Sequence, residues 1–235
     1  MQNSPIISIT TILGDTIHYH NIEAVLFDLD GTLIDTLDLH IKSFQWILAR
    51  LGKKVEKSQL EHLMGRTPHE IISQFFEDIP QEKIWEAAIE KEEYLSQLVQ
   101  QVKRYDGSIE LLKSLKQAGI KSVVISSTYI DLVKLLLEKA GILEVIDDII
   151  SGDQVKNGKP DPEPFTLATV KVGVAPENCI GIGDSIHDYY SCTGANVNFI
   201  GVITGKTNFD GFTMNNHHVV IRGLQEIKVI TNSKH

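Results

Sequence analysis

Six polar residues follow short apolar runs: Asp28 and Asp30 after Ala24-Val25-Leu26-Phe27, Ser126 after Val123-Val124-Ile125, Lys159 in the turn Gly158-Lys159-Pro160, and Asp184 with Asp188 after Ile180-Gly181-Ile182-Gly183. Carboxylates collected from several strand ends repel one another unless a cation offsets them. Oxygen donors of this kind suit Mg2+ acting together with phosphate oxygens. A lysine and a hydroxyl in the same place add donors for a phosphoryl group. Converging on one edge, the set would make a site for a hard cation and a phosphate. Each residue alone has a plainer structural reading: Asp28-x-Asp30-Gly31 as a turn, Ser126 or Asp184 as a helix cap, and Lys159 as a solvated surface charge.

The elements that must position these residues alternate regularly. Strands are expected at Glu23–Leu29, Ile120–Ile125, Asp148–Ser151, Cys179–Gly183, Val197–Ile203 and Val219–Ile221. Helices are expected at Ile109–Ala118, Ile130–Ala140 and Glu163–Val172, each followed by a glycine that can end it. Strand and helix in alternation predict an α/β fold, a Rossmann-like parallel sheet with helices on both faces, which binds ligands beyond the carboxyl ends of its strands. Between residues 36 and 102 the strand signal stops. Leu37, Ile41, Phe44, Leu48 and Leu51 mark a helical face closed by Gly52, Thr67-Pro68-His69-Glu70 reads as a capping box with proline at the first helical position, and one long helix is expected from Pro80 to Gln101. This segment reads as an inserted all-helical cap. The expected division is therefore an N-terminal arm or hairpin at 1–21, the α/β core at 22–35 and 103–235, and the cap at 36–102.

With 42% hydrophobic and 23% charged residues among 235, the composition is that of an ordinary globular protein with a buried core. A net charge of −9 argues against a nucleic-acid partner, which would need clustered Lys and Arg. No stretch reaches the roughly 18 apolar residues of a membrane helix, and Met1–Asp15 lacks the pattern of a secretion signal. Cys179 and Cys192, with no second metal-type pair, fit a reducing compartment, so a cytoplasmic location is expected. His18, His20, His217 and His218 lack supporting ligands for zinc.

In order along the chain, Asp28-Leu29-Asp30-Gly31-Thr32-Leu33, Ser126, Gly158-Lys159-Pro160-Asp161-Pro162 and Gly183-Asp184-Ser185-x-x-Asp188 closely resemble the motifs of the haloacid dehalogenase superfamily. The resemblance runs from about Ile22 to the end and includes the position of the helical insertion. It points to the branch of phosphoglycolate phosphatases and β-phosphoglucomutases. It implies that Asp28 attacks phosphorus and becomes an aspartyl phosphate, and that Asp30 serves as general acid and then base. Ser126, with Ser127 as its rival in register, would hydrogen-bond the transferring group, and Lys159 would hold the phosphate. Mg2+ would be bound by Asp28, Asp184 and the backbone carbonyl of Asp30, with Asp188 either reaching it through water or bonding to Lys159. Tyr189 and Tyr190 stand where small residues are usual, and Asp106 where proline is common.

Selectivity should come from the cap, swinging on hinges near Asp35–Thr36 and Val102–Tyr105. His40 and Arg66 are its candidate substrate-binding residues, with Thr32 and Ser127 from the core; Arg66 could take an anionic group such as a carboxylate. The expected function is Mg2+-dependent hydrolysis of a small phosphorylated metabolite by a monomer or weak homodimer. His40 aligns with a cap histidine of β-phosphoglucomutase-like members, which makes a sugar-phosphate mutase the rival. Thr32 and Gly183 look phosphatase-like, since mutase-type sequences tend to carry Val and Glu there. A non-catalytic phosphate-binding protein on the same scaffold is the alternative from another class, and the full set of charged motif residues argues against it.

Overall fold

The computed structural model describes residues 5–204 and 219–231. In chain order the elements are β1 (Ile6–Thr10), β2 (Thr16–Tyr19), β3 (Ala24–Asp28), β4 (Ile34–Asp35), α1 (Leu37–Arg50), α2 (Lys57–Glu61), α3 (Pro68–Ser73), α4 (Gln81–Ser96), β5 (Lys103–Arg104), α5 (Ser108–Gln117), β6 (Lys121–Ile125), α6 (Ile130–Lys139), β7 (Asp148–Ile150), α7 (Glu163–Val172), β8 (Cys179–Gly183), α8 (Ile186–Gly194), β9 (Asn198–Val202), β10 (Val219–Ile221) and β11 (Ile227–Ile230). His217 and His218 lie outside the described residues.

Six strands form one parallel sheet in the order β10-β9-β8-β3-β6-β7. β3 is central, and every residue in it is buried. Because successive side chains point to opposite faces, Val25 and Phe27 pack with α5 and α6 through Leu111, Leu112, Leu115, Val133 and Leu136. Ala24 and Leu26 pack with α7 and α8 through Phe165, Ala168 and Cys192. Each fully buried large apolar side chain of this kind is worth about 1.5–3 kcal/mol. This two-faced burial explains why β3 reads as an unbroken apolar run rather than an alternating one.

A second sheet, β11-β1-β2, is antiparallel, with Ile6 opposite Ile230 and Ile7 opposite Tyr19. Ile7 and Ile9 join the same apolar cluster as α5 and α6. The hairpin of β1 and β2 is thus held by a C-terminal strand that the sequence pattern had not marked.

The helices α1 to α4 build a separate apolar cluster from Ile41, Phe44, Ile47, Leu48, Leu60, Ile71, Ile72, Ile84 and Ala88. α3 begins with the capping box of Thr67 and Glu70 and with Pro68 at its start. The expected long helix to Gln101 is instead α4, ending at Ser96, followed by a 3-10 turn at Val99–Gln101. Leu98 N–H bonds Leu95 O, three residues back, and Ser96 Oγ bonds Glu93 O, so the ladder tightens there. The two passages between core and cap pair as β4 and β5, Ile34 opposite Arg104 and Asp35 opposite Lys103. No helix among the described residues is long and apolar enough to cross a membrane.

Candidate active site

Asp28 is the last residue of the central strand, so its carboxylate emerges at the carboxyl edge of the sheet. On one side β6 ends at Ile125 and delivers Ser126; on the other β8 ends at Gly183 and delivers Asp184. The chain can leave β3 sharply because Gly31 has φ +97°, and a Cβ at that position would lie 2.5 Å from Asp184 Oδ2. Gly183 serves a close approach of α8 rather than a turn: a Cβ there would lie 2.5 Å from the Cβ of Asp188.

Lys159 is 1% exposed. Its Nζ lies 2.7 Å from Asp28 Oδ1, 2.7 Å from Asp188 Oδ1 and 2.8 Å from the carbonyl of Ile125. Burial alone would lower its pKa, but Asp188 and Asp28 outweigh burial and raise it, so it is a fixed cation. Asp188 is oriented from its own helix, its Oδ2 accepting from the backbone and hydroxyl of Ser185 at 3.1 and 2.5 Å.

Asp28, Asp184 and Asp188 each offer a carboxylate oxygen, and these oxygens all lie within 4.8 Å of one another. Burial, then the neighbouring Asp188, pushes the Asp28 carboxyl well up, against the opposing pull of Lys159. Asp28 Oδ2 is buried with no hydrogen-bond partner. A hard, oxygen-only, electron-rich set with one orphaned oxygen could hold a divalent cation.

Asp30 points elsewhere. Its side chain accepts from Thr36 Oγ1 at 2.5 Å and from Ser126 Oγ at 3.2 Å, and meets His40 Nε2 at 3.1 Å. The other ring nitrogen of His40 is 3.0 Å from Lys91 Nζ. Burial alone would raise the Asp30 pKa; His40 first, then Thr36 and Lys91, overcome it and hold the carboxyl at about 2. Of the four residues expected to hold metal, the side chains of Asp28, Asp184 and Asp188 come together, while Asp30, expected to offer only its backbone carbonyl, has its side chain engaged by Thr36, His40 and Ser126.

A cavity of 560 Å³ lies over this edge, lined from the core by Asp28, Ser127, Asp184 and His187 and from the cap by His40, Arg66 and Lys91. Arg66 reaches the wall with a buried Nε that has no hydrogen-bond partner. Ser127 donates its hydroxyl to Gly65 O at 2.6 Å, tying core to cap. Ser126 is 3% exposed, and its Oγ also accepts from Thr128 N at 3.1 Å. Thr32 is not brought to the cavity: it is wholly buried in the turn after β3, where backbone bonds back to Leu29 turn the chain inward.

Sequence reasoning overlooks Thr36, Lys91 and His187. Lys91 had a signal: Ile84, Ala88, Lys91 and Leu95 share the buried face of α4, so the lysine occupies an apolar position of the helical repeat. It is fully buried, and its Nζ also lies 2.9 Å from Glu92 and 4.6 Å from the centre of the Phe44 ring.

The family described as "Haloacid dehalogenase-like hydrolase" matches residues 25–202. The chain is 32% identical to pyrophosphatase PpaX of Bacillus pumilus over 182 residues, covering 77% of this chain and 83% of that protein. It is 32% identical to phosphoglycolate phosphatase of Agrobacterium fabrum over 191 residues, covering 78% and 81%. The crystal structure of β-phosphoglucomutase from Clostridium difficile superposes with a TM-score of 0.78 at 27% identity, covering 88% of this chain and 93% of that one.

Proposed function

The chain belongs to the haloacid dehalogenase-like hydrolases, and from that premise we propose that it is a phosphatase that cleaves small phosphomonoesters through a covalent intermediate on Asp28. The observation that carries this reading is the buried, unpartnered Asp28 Oδ2, set among two further carboxylates and beside a fixed lysine. Asp28, Asp184 and Asp188 would hold Mg2+. In such a triad a divalent ion supplies charge neutralisation for the carboxylates and for the phosphoryl oxygens.

The residues of the chain then divide the work. An Asp28 carboxylate oxygen attacks phosphorus as the bond to the leaving oxygen breaks. Lys159 keeps Asp28 oriented and offsets the charge that gathers on the phosphoryl group. Asp30, ionised in the arrangement with His40 and Thr36, needs a proton from solvent before it can protonate the leaving oxygen. In the second half the carboxylate of Asp30 takes a proton from water as the water oxygen attacks phosphorus, releasing phosphate and restoring Asp28. The Ser126 hydroxyl, now turned to Asp30, would rotate to the transferring group. The size of the cavity suits a small ester, and the unpartnered Nε of Arg66 favours a leaving group with its own anionic substituent.

The test is covalent trapping and turnover together. With Mg2+ and an aryl phosphate, the wild-type protein should acquire acid-labile phosphate, and Asp28→Asn should lose turnover by about four orders of magnitude while remaining folded. Retained turnover in that variant sinks the covalent route.

One observation favours a second reading. The hydrogen bond of His40 to Asp30 brings a cap histidine onto the acid–base residue, in a fold shared with a β-phosphoglucomutase. Incubation with glucose 1-phosphate separates the two: free phosphate supports hydrolysis, and glucose 6-phosphate supports the mutase.

A further inference from the structure

Away from its carboxylates, the cavity over the sheet edge has an apolar wall. The cap lines it with Leu37, Phe44, Met64, Pro68 and Ile71, and the core adds Ile186 at the rim. Phe44 and Ile71 belong to the apolar cluster of the cap and are 2% and 1% exposed; Leu37 and Met64 pack against that cluster only partly buried. The wall is therefore the inner face of the cap core, with apolar surface of Leu37 and Met64 left for another group to cover. Met64 and Pro68 flank Arg66, whose Nε is buried without a partner.

Hydroxyl groups find little to bond there. Among the described residues, no Ser, Thr, Asn or Gln of the cap lines the cavity. Both ring nitrogens of His40 are taken, by Asp30 at 3.1 Å and by Lys91 at 3.0 Å, and Lys91 bonds Glu92 at 2.9 Å and faces the Phe44 ring. Glu61 and His62 stand exposed at the rim, Glu61 3.7 Å from Lys57 and His62 3.4 Å from the carbonyl of Ser58. A polyol held against this wall would bury hydroxyls without partners and lose affinity for each of them. An apolar body gains from the same wall, and Arg66 can still take an acceptor beyond it. At 560 Å³ the cavity falls in the range of pockets for whole small molecules, about 300–1,000 Å³, so a ring fits beside the phosphoryl group.

We propose that the leaving group of the natural ester has a ring-sized apolar body and ends in an anionic group: the body lies against Leu37, Met64, Pro68 and Ile71, and the anion meets Arg66. The inference rests on the phosphatase reading above and gives that reading a substrate class. It divides recognition within the cap. Charge at Arg66 selects the end group, and the apolar wall selects what joins that group to the phosphate oxygen.

Four esters of primary alcohols, alike at the leaving oxygen, test the two features separately on the full chain with saturating Mg2+. 4-Carboxybenzyl phosphate carries body and anion, benzyl phosphate the body alone, phosphoglycolate the anion alone, and glucose 6-phosphate a polyol with neither. The value of kcat/KM should be highest for 4-carboxybenzyl phosphate, about tenfold lower for benzyl phosphate, about tenfold lower for phosphoglycolate and about a hundredfold lower for glucose 6-phosphate. Met64→Gln, which keeps the length of the side chain, should shrink the advantage of 4-carboxybenzyl phosphate over phosphoglycolate about fivefold. Phosphoglycolate or glucose 6-phosphate turned over as well as 4-carboxybenzyl phosphate overturns the apolar body, and benzyl phosphate doing so overturns the anionic end. An unchanged advantage in Met64→Gln removes the wall from recognition. Should Met64→Gln fail to fold, the wild-type ratios decide alone. A wild-type protein that releases phosphate from none of the four, nor from 4-nitrophenyl phosphate, sinks the phosphatase reading itself; one that hydrolyses 4-nitrophenyl phosphate without favouring 4-carboxybenzyl phosphate among the four sinks only the substrate class.

Discussion

At the sheet edge, Lys159 is 1% exposed and its ammonium meets three oxygens within 2.8 Å. Across the cavity, the cap presents Arg66 with an unpartnered Nε, and a His40–Lys91 pair that reaches the core through Asp30. The first set is rigid because backbone geometry fixes it: parallel strands in register set the spacing of Asp28, Ser126 and Asp184, and a buried ion pair locks the remainder. The second set hangs from helices that form their own apolar cluster and touch the core at a few places, such as Ser127 on Gly65 and Tyr129 on His69. Chemistry that must be the same for every ester belongs on the fixed side. Discrimination between esters belongs on the side that can be rebuilt without disturbing the sheet.

Substitutions on the two sides should therefore fail differently. After Asp28→Asn, the largest effect is expected for Lys159→Met, which leaves Asp28 and Asp188 buried without their cation. Stability without Mg2+ should drop by about 3–5 kcal/mol, read by urea unfolding, and kcat should fall on the order of a thousandfold. A stable, active variant would break the contrast at its rigid end.

His40→Ala lies between the two regions. Asp30 is depressed from 3.8 to about 2, so its contribution to stability is complete above pH 3.8 and disappears as pH falls towards 2. Without His40 the Asp30 pKa rises, and acid unfolding followed by circular dichroism should begin at a higher pH than in the wild type. Turnover should fall roughly 10- to 100-fold. An unshifted acid limb would mean that His40 does not set the state of Asp30.

The smallest effect is expected for Arg66→Ala: KM about tenfold higher for an ester with a second anionic group, little change for 4-nitrophenyl phosphate, and an unaltered melting temperature. Equal losses on both substrates would place Arg66 with the generic chemistry and blur the division.

How legible this was follows the same line. The sheet strands could be read closely because β3 and β8 are short apolar runs ending at Asp or Gly, and α5, α6 and α7 end near Gly119, Gly141 and Gly173, all with positive φ. The acidic residues could be listed because a parallel sheet puts functional groups at strand ends. What escaped has no periodic signature. The pairing of β11 with β1 joins distant parts of the chain through a four-residue strand. Thr204 meets Gly31 through a side-chain hydrogen bond between distant parts of the chain. Asp30 could be named, but its capture by Thr36 and His40 depends on how α1 leaves the hinge. Lys91 lay hidden in a charged helix, although its place on the buried face of α4 was there to read.

The central place of β3 has a bearing on biosynthesis. As the ribosome feeds the chain out, Ala24–Asp28 appears early, yet its sheet neighbours Lys121–Ile125 and Cys179–Gly183 come much later. In the interval both edges of an apolar strand stay unpaired, the condition in which nascent chains are most prone to associate. The helices of Leu37–Ser96 are made during that wait and close through contacts near in sequence. The cap can thus be complete before Asp28 meets Lys159 or Asp188.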